Sequence, residues 1–453
     1  MRTPLRACLV FLFLSICWVV GIAQQGPPLS LRQAVKLSLE KNPGRRMAQA
    51  DVDSAGVGTR LARTALLPSL FFTQTATRSN DPVYVFGTRL RQQRFQQSDF
   101  ALNSLNRPSP INNFVSRLSG NWMAFDSWHT QFEIQRADLL AKGASAAAAR
   151  SDEEIIHQVV ESYQSVLLAI RHADLTDQEV QTAEALLRSG ETRVAAGLAV
   201  DADRLTASAN LAERQQEQIA ARGGVEIAWA ELEAAIGDAI PEPQRQLQPL
   251  VERQFDLAAL ADYVTTAIKS RSDRQSLGLE KDAQSKAVKS AKSAFGPQVS
   301  ALGAWETDRE SIAGAGGNNW LAGAELRLDI LPAGKRETLA AARIGLRKLQ
   351  AMTDSADQRI KLDVTRAYYE HQAAGKMLGV ARASTDQAEE SLRILKDRYD
   401  AGLTTITDVL RAEDAQRQSR TNYWRAVSQN ALSYANLRFA TGTLTADSVE
   451  DLQ

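Results

Sequence analysis

The chain contains one short pattern twice, as RVAAGLAVDADRL at residues 193–205 and as RYDAGLTTITDVL at residues 398–410. The two copies share an arginine, an Ala-Gly-Leu run, an aspartate and a final leucine at the same spacing. The match extends outward without gaps, so that Tyr163 falls on Tyr368. A repeat of this length predicts a tandem duplication of one structural unit, and the function of the protein must explain why two units are needed.

Residues 1–23 have the pattern of a secretory signal peptide: early arginines, an apolar run over residues 9–20 and a small-residue cleavage site. A membrane-spanning anchor is the alternative, but the run is short for a span. Both cysteines, Cys8 and Cys17, lie in this segment, so the mature chain is expected to lack disulfides and thiolate metal sites. Lipidation at Cys17 is not expected, because the preceding Ile16 is not small.

The composition does not suggest a nucleic-acid partner, and it limits how the chain could cross a membrane. Lys and Arg together number 53 and so do Asp and Glu, a balance that does not suggest nucleic acid as a partner. After the signal peptide, no apolar stretch approaches the roughly 18 residues of a spanning helix. An exported chain of this kind, if it crosses a membrane, is expected to cross it as a β-barrel.

The order of predicted elements is helix, strand, strand, helix, and it occurs twice. We expect a first structural repeat over residues 24–240, a second over residues 241–442 and a carboxy-terminal tail at residues 443–453. The predicted fold class is therefore mainly α with a small β portion, built from a duplicated α-β-β-α unit. In the first repeat, a helical block at residues 29–66 is broken at Asn42-Pro43, since proline excludes its predecessor from the α region.

Four short segments have the composition or alternation of strands. They are predicted at about residues 69–78, 114–125, 298–307 and 319–331. Apolar and polar residues alternate most clearly in the last of these, which is typical of a membrane barrel strand with one face toward lipid and the other toward a lumen. A half-buried strand of a soluble sheet would give the same alternation.

Tryptophan supports the membrane interpretation. Trp122, Trp305 and Trp320 lie in the predicted strands, where interfacial aromatic girdles of membrane barrels place this residue. The alternative is that they are core residues of a small sheet. We therefore expect these three side chains at the membrane interfaces.

The remaining blocks are long helices. Residues 127–193 contain no proline, and as a single helix at 1.5 Å per residue they would extend about 100 Å. Residues 334–400 form the counterpart. After each block, an Ala-Gly-Leu turn leads into another predicted helix, at residues 200–237 or 404–441. Such αα-hairpins are far too long for a compact domain.

No motif for catalysis is present. The four histidines are scattered through helical blocks, and no metal-binding, nucleophile or phosphate-loop pattern occurs. We therefore expect no enzyme activity, no cofactor and no metal. Residues 79–112 contain several prolines and a basic cluster at Arg89, Arg91 and Arg94. We predict a solvated loop here, and the alternative for the basic cluster is a surface entry or closure feature.

Together, the signal peptide, the duplicated unit, the prolines that precede strands (Pro68 and Pro297) and the paired Gly-Leu turns resemble the TolC-type outer-membrane efflux protein family. The resemblance covers residues 29–442. It implies a homotrimer in which each chain contributes four strands to a shared 12-stranded transmembrane β-barrel. The long αα-hairpins would continue this barrel as a trimeric α-barrel. Isolated strands would leave open edges in lipid, so the barrel must close across subunits.

The resemblance also implies a location and partners. The protein would lie in the outer membrane of a Gram-negative bacterium, extend into the periplasm, and act as the exit duct of a tripartite efflux or type I secretion system. A periplasmic adaptor (membrane fusion protein) and an inner-membrane pump would be its partners, with outer-membrane lipid around it. The alternative is an exported periplasmic coiled-coil scaffold or adaptor without a membrane barrel. The sequence does not identify the cargo.

Site residues follow from the same resemblance. Tyr399 falls on a gate tyrosine, Asp203 on its aspartate partner in the neighbouring hairpin, and Asp408 on a constriction aspartate. Thr404 and Arg411 depart from the family pattern. The turn residues implied to contact the adaptor are Gly197, Leu198, Gly402 and Leu403.

The two aspartates have a simpler interpretation as well. An acidic residue in the first turn of a helix offsets the macrodipole and can cap the helix. The pattern from Thr405 to Asp408 resembles a capping box. This role is compatible with a charged ring at a pore.

Overall fold

The computed structural model describes residues 28–242 and 245–452, so the predicted signal peptide at residues 1–23 lies outside the described residues. Within them the chain forms long helices and one four-stranded sheet. The helices are α1 (Leu31–Lys41), α2 (Pro43–Thr64), α3 (Pro82–Arg91), α4 (Leu102–Asn106), α5 (His129–Ala195), α6 (Asp201–Ile236), α7 (Leu260–Ser270), α8 (Ser272–Ser293), α9 (Lys335–Asp400) and α10 (Ile406–Ala440). The strands are β1 (Ser69–Ser79), β2 (Ile111–Phe125), β3 (Gln298–Arg309) and β4 (Gly316–Arg327).

The mainly α architecture with a duplicated α-β-β-α unit is confirmed. Helices α5 and α9 contain 67 and 66 residues, and each extends about 100 Å at 1.5 Å per residue. They return as α6 and α10, which form two αα-hairpins. Across residues 28–242 and 245–452, we find no helix with the length and hydropathy needed to span a membrane.

The break between α1 and α2 follows from local chemistry. Asn42 has an extended backbone (φ −61°, ψ 128°), and its side chain accepts a hydrogen bond from the N–H of Gly44 at 2.7 Å. Pro43 then occupies the first helical position, where its missing N–H has no cost. Asn42 thus ends one helix and caps the next.

The strands form one antiparallel sheet in the order β1-β2-β3-β4. Strands β1 and β4 are its two edges, so each presents one row of backbone N–H and C=O groups that has no partner strand among the described residues. Strands β2 and β3 pair at the centre and connect the two halves of the chain.

The two faces of the sheet differ in polarity. One row of directly paired residues crosses all four strands on the same face. These are Phe72, Leu118, Trp305 and Trp320. All four side chains are exposed, Trp320 by 80%. The opposite face contains the paired residues Arg117 and Glu306, so beside this row the sheet has one apolar and one polar face.

The largest differences from the predicted strand boundaries are in β4 and at the start of β2. Strand β4 was expected over residues 319–331 but spans Gly316–Arg327. Its last partner is Gln298, and the preceding Pro297 has no N–H to extend the ladder. Strand β2 begins at Ile111 rather than at residue 114, because it pairs with β1 as far as Ser79.

The prediction of a solvated loop over residues 79–112 is wrong. This segment contains α3, α4 and a short 3-10 helix, Gln97–Phe100. Asp81 caps α3 through a hydrogen bond from the N–H of Tyr84 at 2.7 Å, and Pro82 occupies the first turn. The three arginines of this segment each make an ion pair, while Arg91 and Arg94 stay exposed to solvent.

The largest buried cluster lies where α1 meets the long helices. Val35, Tyr163 and Leu232 are fully buried there, and each contributes about 1.5–3 kcal/mol by leaving water. The hydroxyl of Tyr163 donates to the carbonyl of Leu29 at 2.8 Å. The segment after α10 packs into the same cluster through Leu444, so the predicted tail is part of the core.

Candidate functional site

The two hairpin turns share one geometry. In the first, the N–H of Leu198 donates to the carbonyl of Arg193 at 2.8 Å and that of Gly197 to Val194 at 3.0 Å. This is the Schellman arrangement, which requires a left-handed residue after the helix. Gly197 has φ +72° and its counterpart Gly402 has φ +73°. The Gly-Leu pair therefore ends each long helix and reverses the chain.

The turns expose apolar side chains. Leu198 is 77% exposed and Leu403 is 68% exposed, at equivalent places in the two turns. Val200 is exposed beside Leu198. Isolated exposed leucines are ordinary, but here the same residue is presented at the end of both hairpins.

A single arginine joins the two hairpins near their ends. The Nη2 atom of Arg193, on α5, donates to the carbonyl of Tyr399 at 3.1 Å and to that of Asp400 at 3.3 Å, both on α9. The guanidinium also lies over the Tyr399 ring, 4.4 Å from its centroid. Carbonyls at a helix carboxy-terminus and an aromatic face both attract a cation.

Tyr399 is a buried anchor between the hairpins. Its side chain is 8% exposed and packs with Leu392, Ile406 and Val409 of the second hairpin and with Ala207 of the first. Burial of this aromatic ring therefore stabilises the contact between the two hairpins, to which Arg193 also contributes.

Asp203 lies apart from this contact. It is half-buried in the first turn of α6, where its N–H donates to the carbonyl of Val200 at 3.0 Å. In the described part of the chain, no hydrogen bond or ion pair joins its carboxylate to Tyr399. The structure thus brings Tyr399 together with Arg193, a residue not singled out from the sequence as a site residue.

Asp408 caps its own helix, as its capping-box pattern indicated. Its Oδ2 accepts from Thr405 Oγ1 at 2.7 Å and from Thr404 Oγ1 at 2.9 Å, and Thr405 Oγ1 accepts from the N–H of Asp408 at 3.3 Å. The hydrogen bond from the Thr405 hydroxyl, followed by that from Thr404, holds the pKa of Asp408 below its usual range. The carboxylate is therefore kept ionised at the turn.

Further from the turns, charged side chains connect α6 to α10. Arg214 lies 3.4 Å from Asp414, and Arg417 lies 3.9 Å from Glu217. Arg214, Asp414 and Arg417 line a small cavity of about 120 Å³, and Glu179 of α5 lines it as well. Burial raises the pKa of Glu179 to about 7, although Arg417 and Arg214 oppose the shift. Glu179 therefore titrates near neutrality between the hairpins.

The three expected interface tryptophans differ in environment. Trp305 and Trp320 are directly paired on the apolar face, near the β3–β4 turn. Trp122 lies on the same face toward the helical end of the sheet, and its indole N–H donates to the carbonyl of Leu66 at 3.0 Å. An amphipathic ring with a satisfied polar atom suits a membrane–water boundary.

The described residues include no group of three or more His, Cys, Asp or Glu side chains arranged to hold a metal ion. The buried His371 bonds Ser433 Oγ through Nδ1 at 2.9 Å, and burial lowers its pKa. Its role is in packing between α9 and α10.

A sheet with an apolar row of side chains, joined to helical hairpins about 100 Å long, is the arrangement expected above for an outer-membrane channel. The sequence pattern of the outer membrane efflux protein family matches residues 34–238 and 264–443. The chain belongs to this family. It is an outer-membrane efflux channel, and members of the family are channels rather than enzymes.

Curated relatives agree with this assignment. The chain is 23% identical over 434 residues to the alkaline protease secretion protein AprF of Pseudomonas aeruginosa, covering 93% of this chain and 86% of AprF. It is 24% identical over 402 residues to the outer membrane protein OprJ of the same organism, covering 86% of this chain and 79% of OprJ. Both alignments include most of each protein.

Solved structures share the fold. The CmeC outer membrane channel of Campylobacter jejuni superposes with a TM-score of 0.78 at 16% identity, covering 93% of this chain and 89% of CmeC. The outer membrane protein VceC of Vibrio cholerae superposes with a TM-score of 0.75 at 18% identity, covering 91% of this chain and 96% of VceC. At these identities the likeness concerns the fold alone.

Proposed function

We propose that three copies of the chain close into one continuous duct. The observation that carries this proposal is the pair of free edges in a sheet with an apolar outer face. Strand β4 of one copy would pair with β1 of the next, which gives a 12-stranded barrel without an edge. The apolar row from Phe72 to Trp320 then faces lipid.

The long hairpins would continue the duct through the periplasm. Three chains supply six hairpins, which accounts for the duplication into repeats at residues 24–240 and 241–442. We assign the periplasmic gate to the hairpin ends, with Tyr399 as the packing anchor and Asp408 as the charged group nearest the pore. Asp203 is assigned to the same gate through its place in the first turn of α6.

The exposed turns are proposed as the docking point of a periplasmic adaptor. Leu198 and Leu403 present matching apolar side chains that an adaptor could cover around the whole ring. Energy for transport would come from an inner-membrane pump bound to that adaptor. In this proposal the pump selects the cargo, and the duct itself does not. One relative, AprF, is named for protease secretion, so a polypeptide cargo is compatible with the proposal.

The interpretation as a periplasmic scaffold without a membrane barrel is set aside, because the family is one of the outer membrane. Recordings from the purified protein in planar lipid bilayers test the proposal. Discrete conductance steps are expected, and variants that loosen the hairpin ends should enlarge them. The absence of conductance steps in both the native protein and such variants would contradict a duct.

A further inference from the structure

The connection between β1 and β2 is far longer than the sheet requires. Ser79 and Ile111 pair directly, so a two-residue turn would be enough to join the strands. The chain instead uses residues 80–110, whereas β3 and β4 are joined by residues 310–315. Long ordered connections of this kind usually have a function of their own.

The segment Pro82–Asn106 folds as a unit, which we name the mouth segment. Three phenylalanine rings meet edge to face inside it. The ring centroids of Phe86 and Phe95 are 4.9 Å apart, and those of Phe95 and Phe100 are 5.1 Å apart. Arg89 forms an ion pair with Asp99 across the same unit. The mouth segment therefore holds its own shape.

A buried polar network fixes the mouth segment to the sheet. Gln92 Nε2 donates to the carbonyl of Asn112 at 2.9 Å and to Asn113 Oδ1 at 3.0 Å. Asn113 Nδ2 in turn donates to Asp308 Oδ1 at 2.7 Å. Gln92, Asn113 and Asp308 are each at most 3% exposed. Satisfied networks of this kind are rigid, and breaking one leaves buried polar groups without partners.

The mouth segment lies on the polar face of the sheet. Glu306 is on that face, where it accepts from Arg117 Nε at 2.9 Å and lies 3.7 Å from Arg91. The backbone of α3 also touches β4, since a Cβ added to Gly317 would lie 1.9 Å from the carbonyl oxygen of Arg91. A glycine is therefore required there for the close approach.

We infer that the mouth segment is a second constriction of the channel, inside the outward end of the β-barrel. This rests on the proposed function, because the polar face becomes a lumen wall only when three sheets close. Three copies then project into one lumen from its wall and narrow the exit on the side opposite the hairpin gate. Cargo wider than the remaining opening leaves only when the network at Gln92 releases.

The test measures access to the lumen from outside the cell. Both cysteines, Cys8 and Cys17, lie in the predicted signal peptide, so a chain cleaved before residue 24 has no cysteine of its own. A Ser300→Cys variant places one thiol on the polar face, deeper than the mouth segment. Intact cells are treated with a small membrane-impermeant maleimide or with one attached to a long polyethylene glycol. Ala313→Cys, in the β3–β4 turn, is the control outside the constriction.

The expected result separates the two reagents. The small maleimide labels the Ser300→Cys thiol, and the long reagent labels it slowly. Replacing residues 80–110 by a two-residue turn raises labelling by the long reagent several-fold and leaves Ala313→Cys unchanged. Rapid labelling of Ser300→Cys by the long reagent with the mouth segment intact would overturn the inference.

A point variant guards against misfolding of the deletion. Gln92→Ala removes the bonds to β2 and should raise labelling by the long reagent, whereas the exposed Gln97→Ala in the same segment should not. Equal labelling in both variants would contradict an anchor at Gln92. If even the small maleimide fails to reach Ser300→Cys, the duct itself is contradicted rather than the constriction.

Discussion

The guanidinium of Arg193 lies 4.4 Å from the centre of the Tyr399 ring and donates to the carbonyls of Tyr399 and Asp400. These residues belong to different hairpins, so one side chain ties the end of α5 to the end of α9. The equivalent residue in the second turn, Arg398, is exposed. The contact thus closes the boundary between hairpins inside one chain.

Arg193→Ala should loosen the closed gate. The variant loses a cation–π contact and two charge-assisted hydrogen bonds, together about 2 kcal/mol per chain. Conductance of the reconstituted protein should rise and fluctuate more than that of the native protein. Arg188→Ala, which removes an exposed arginine from the same helix, is the control. Unchanged conductance in Arg193→Ala would assign the closure to other residues.

Thr405→Ala should destabilise the start of α10. It removes the side chain that caps the helix and bonds Asp408, at a cost of about 0.5–2 kcal/mol. The expected readout is a lower melting temperature and faster proteolysis at the hairpin end. Thr407→Ala, two residues later and exposed, changes the same side chain without a cap. Equal stability of the two variants would show that the capping box contributes nothing.

Glu179 predicts a pH dependence between about pH 5 and 7. Burial raises the pKa of Glu179 from the ordinary 4.5 of a glutamate to about 7, so the packed state binds the proton more tightly than a separated state does. Packing of the hairpins should therefore be strongest below pH 4.5 and weaken as the pH rises to 7. The facing arginines Arg417 and Arg214 oppose the rise in pKa, whereas the carboxylates of Glu217 and Asp414 add to it.

The measurement is thermal stability of the purified protein from pH 5 to 8, compared with Glu179→Gln. The glutamine keeps the shape of the side chain but does not titrate. The native protein should lose stability across this range more steeply than the variant. Parallel curves would mean that Glu179 is not the group responsible.

A charge on the apolar face should prevent stable insertion. Ala324 lies between Trp320 and Leu326 on the apolar face of β4, and Ala324→Arg should cost up to about 2–4 kcal/mol in the bilayer. Ala304→Arg, on the opposite face, provides the matched control, because its side chain would point toward the lumen of the proposed barrel. The first variant should be depleted from outer membranes and the second retained. Equal depletion would remove the argument for a lipid-facing surface.

The helices and strands were predictable because their signals are local. Gly197 and Gly402 follow the carboxy-terminal ends of α5 and α9, because the Gly-Leu turns require a left-handed residue that glycine provides. The capping role of Asp408 was readable in the same way, from a threonine three residues earlier. Even α3 had a local signal, since Asp81-Pro82 is a cap followed by a first-turn proline.

The contacts between distant residues were not predictable. Arg193 and Tyr399 are 206 positions apart, and no periodicity in either helix indicates the partner of the other. The raised pKa of Glu179 depends on how α5, α6 and α10 pack around one cavity. The mouth segment was predicted as a solvated loop because its prolines and arginines are typical of one, while its anchor, Asp308, belongs to the other half of the chain.

The central claim is that three chains share one barrel, and the mass of the protein extracted from purified outer membranes tests it most directly. Light scattering corrected for bound detergent should give three times the mass of the mature chain. Ala324→Arg, expressed in parallel, should be depleted from that fraction. A protein found in the detergent-free periplasmic fraction as a monomer or dimer would contradict the shared barrel and every assignment that depends on it.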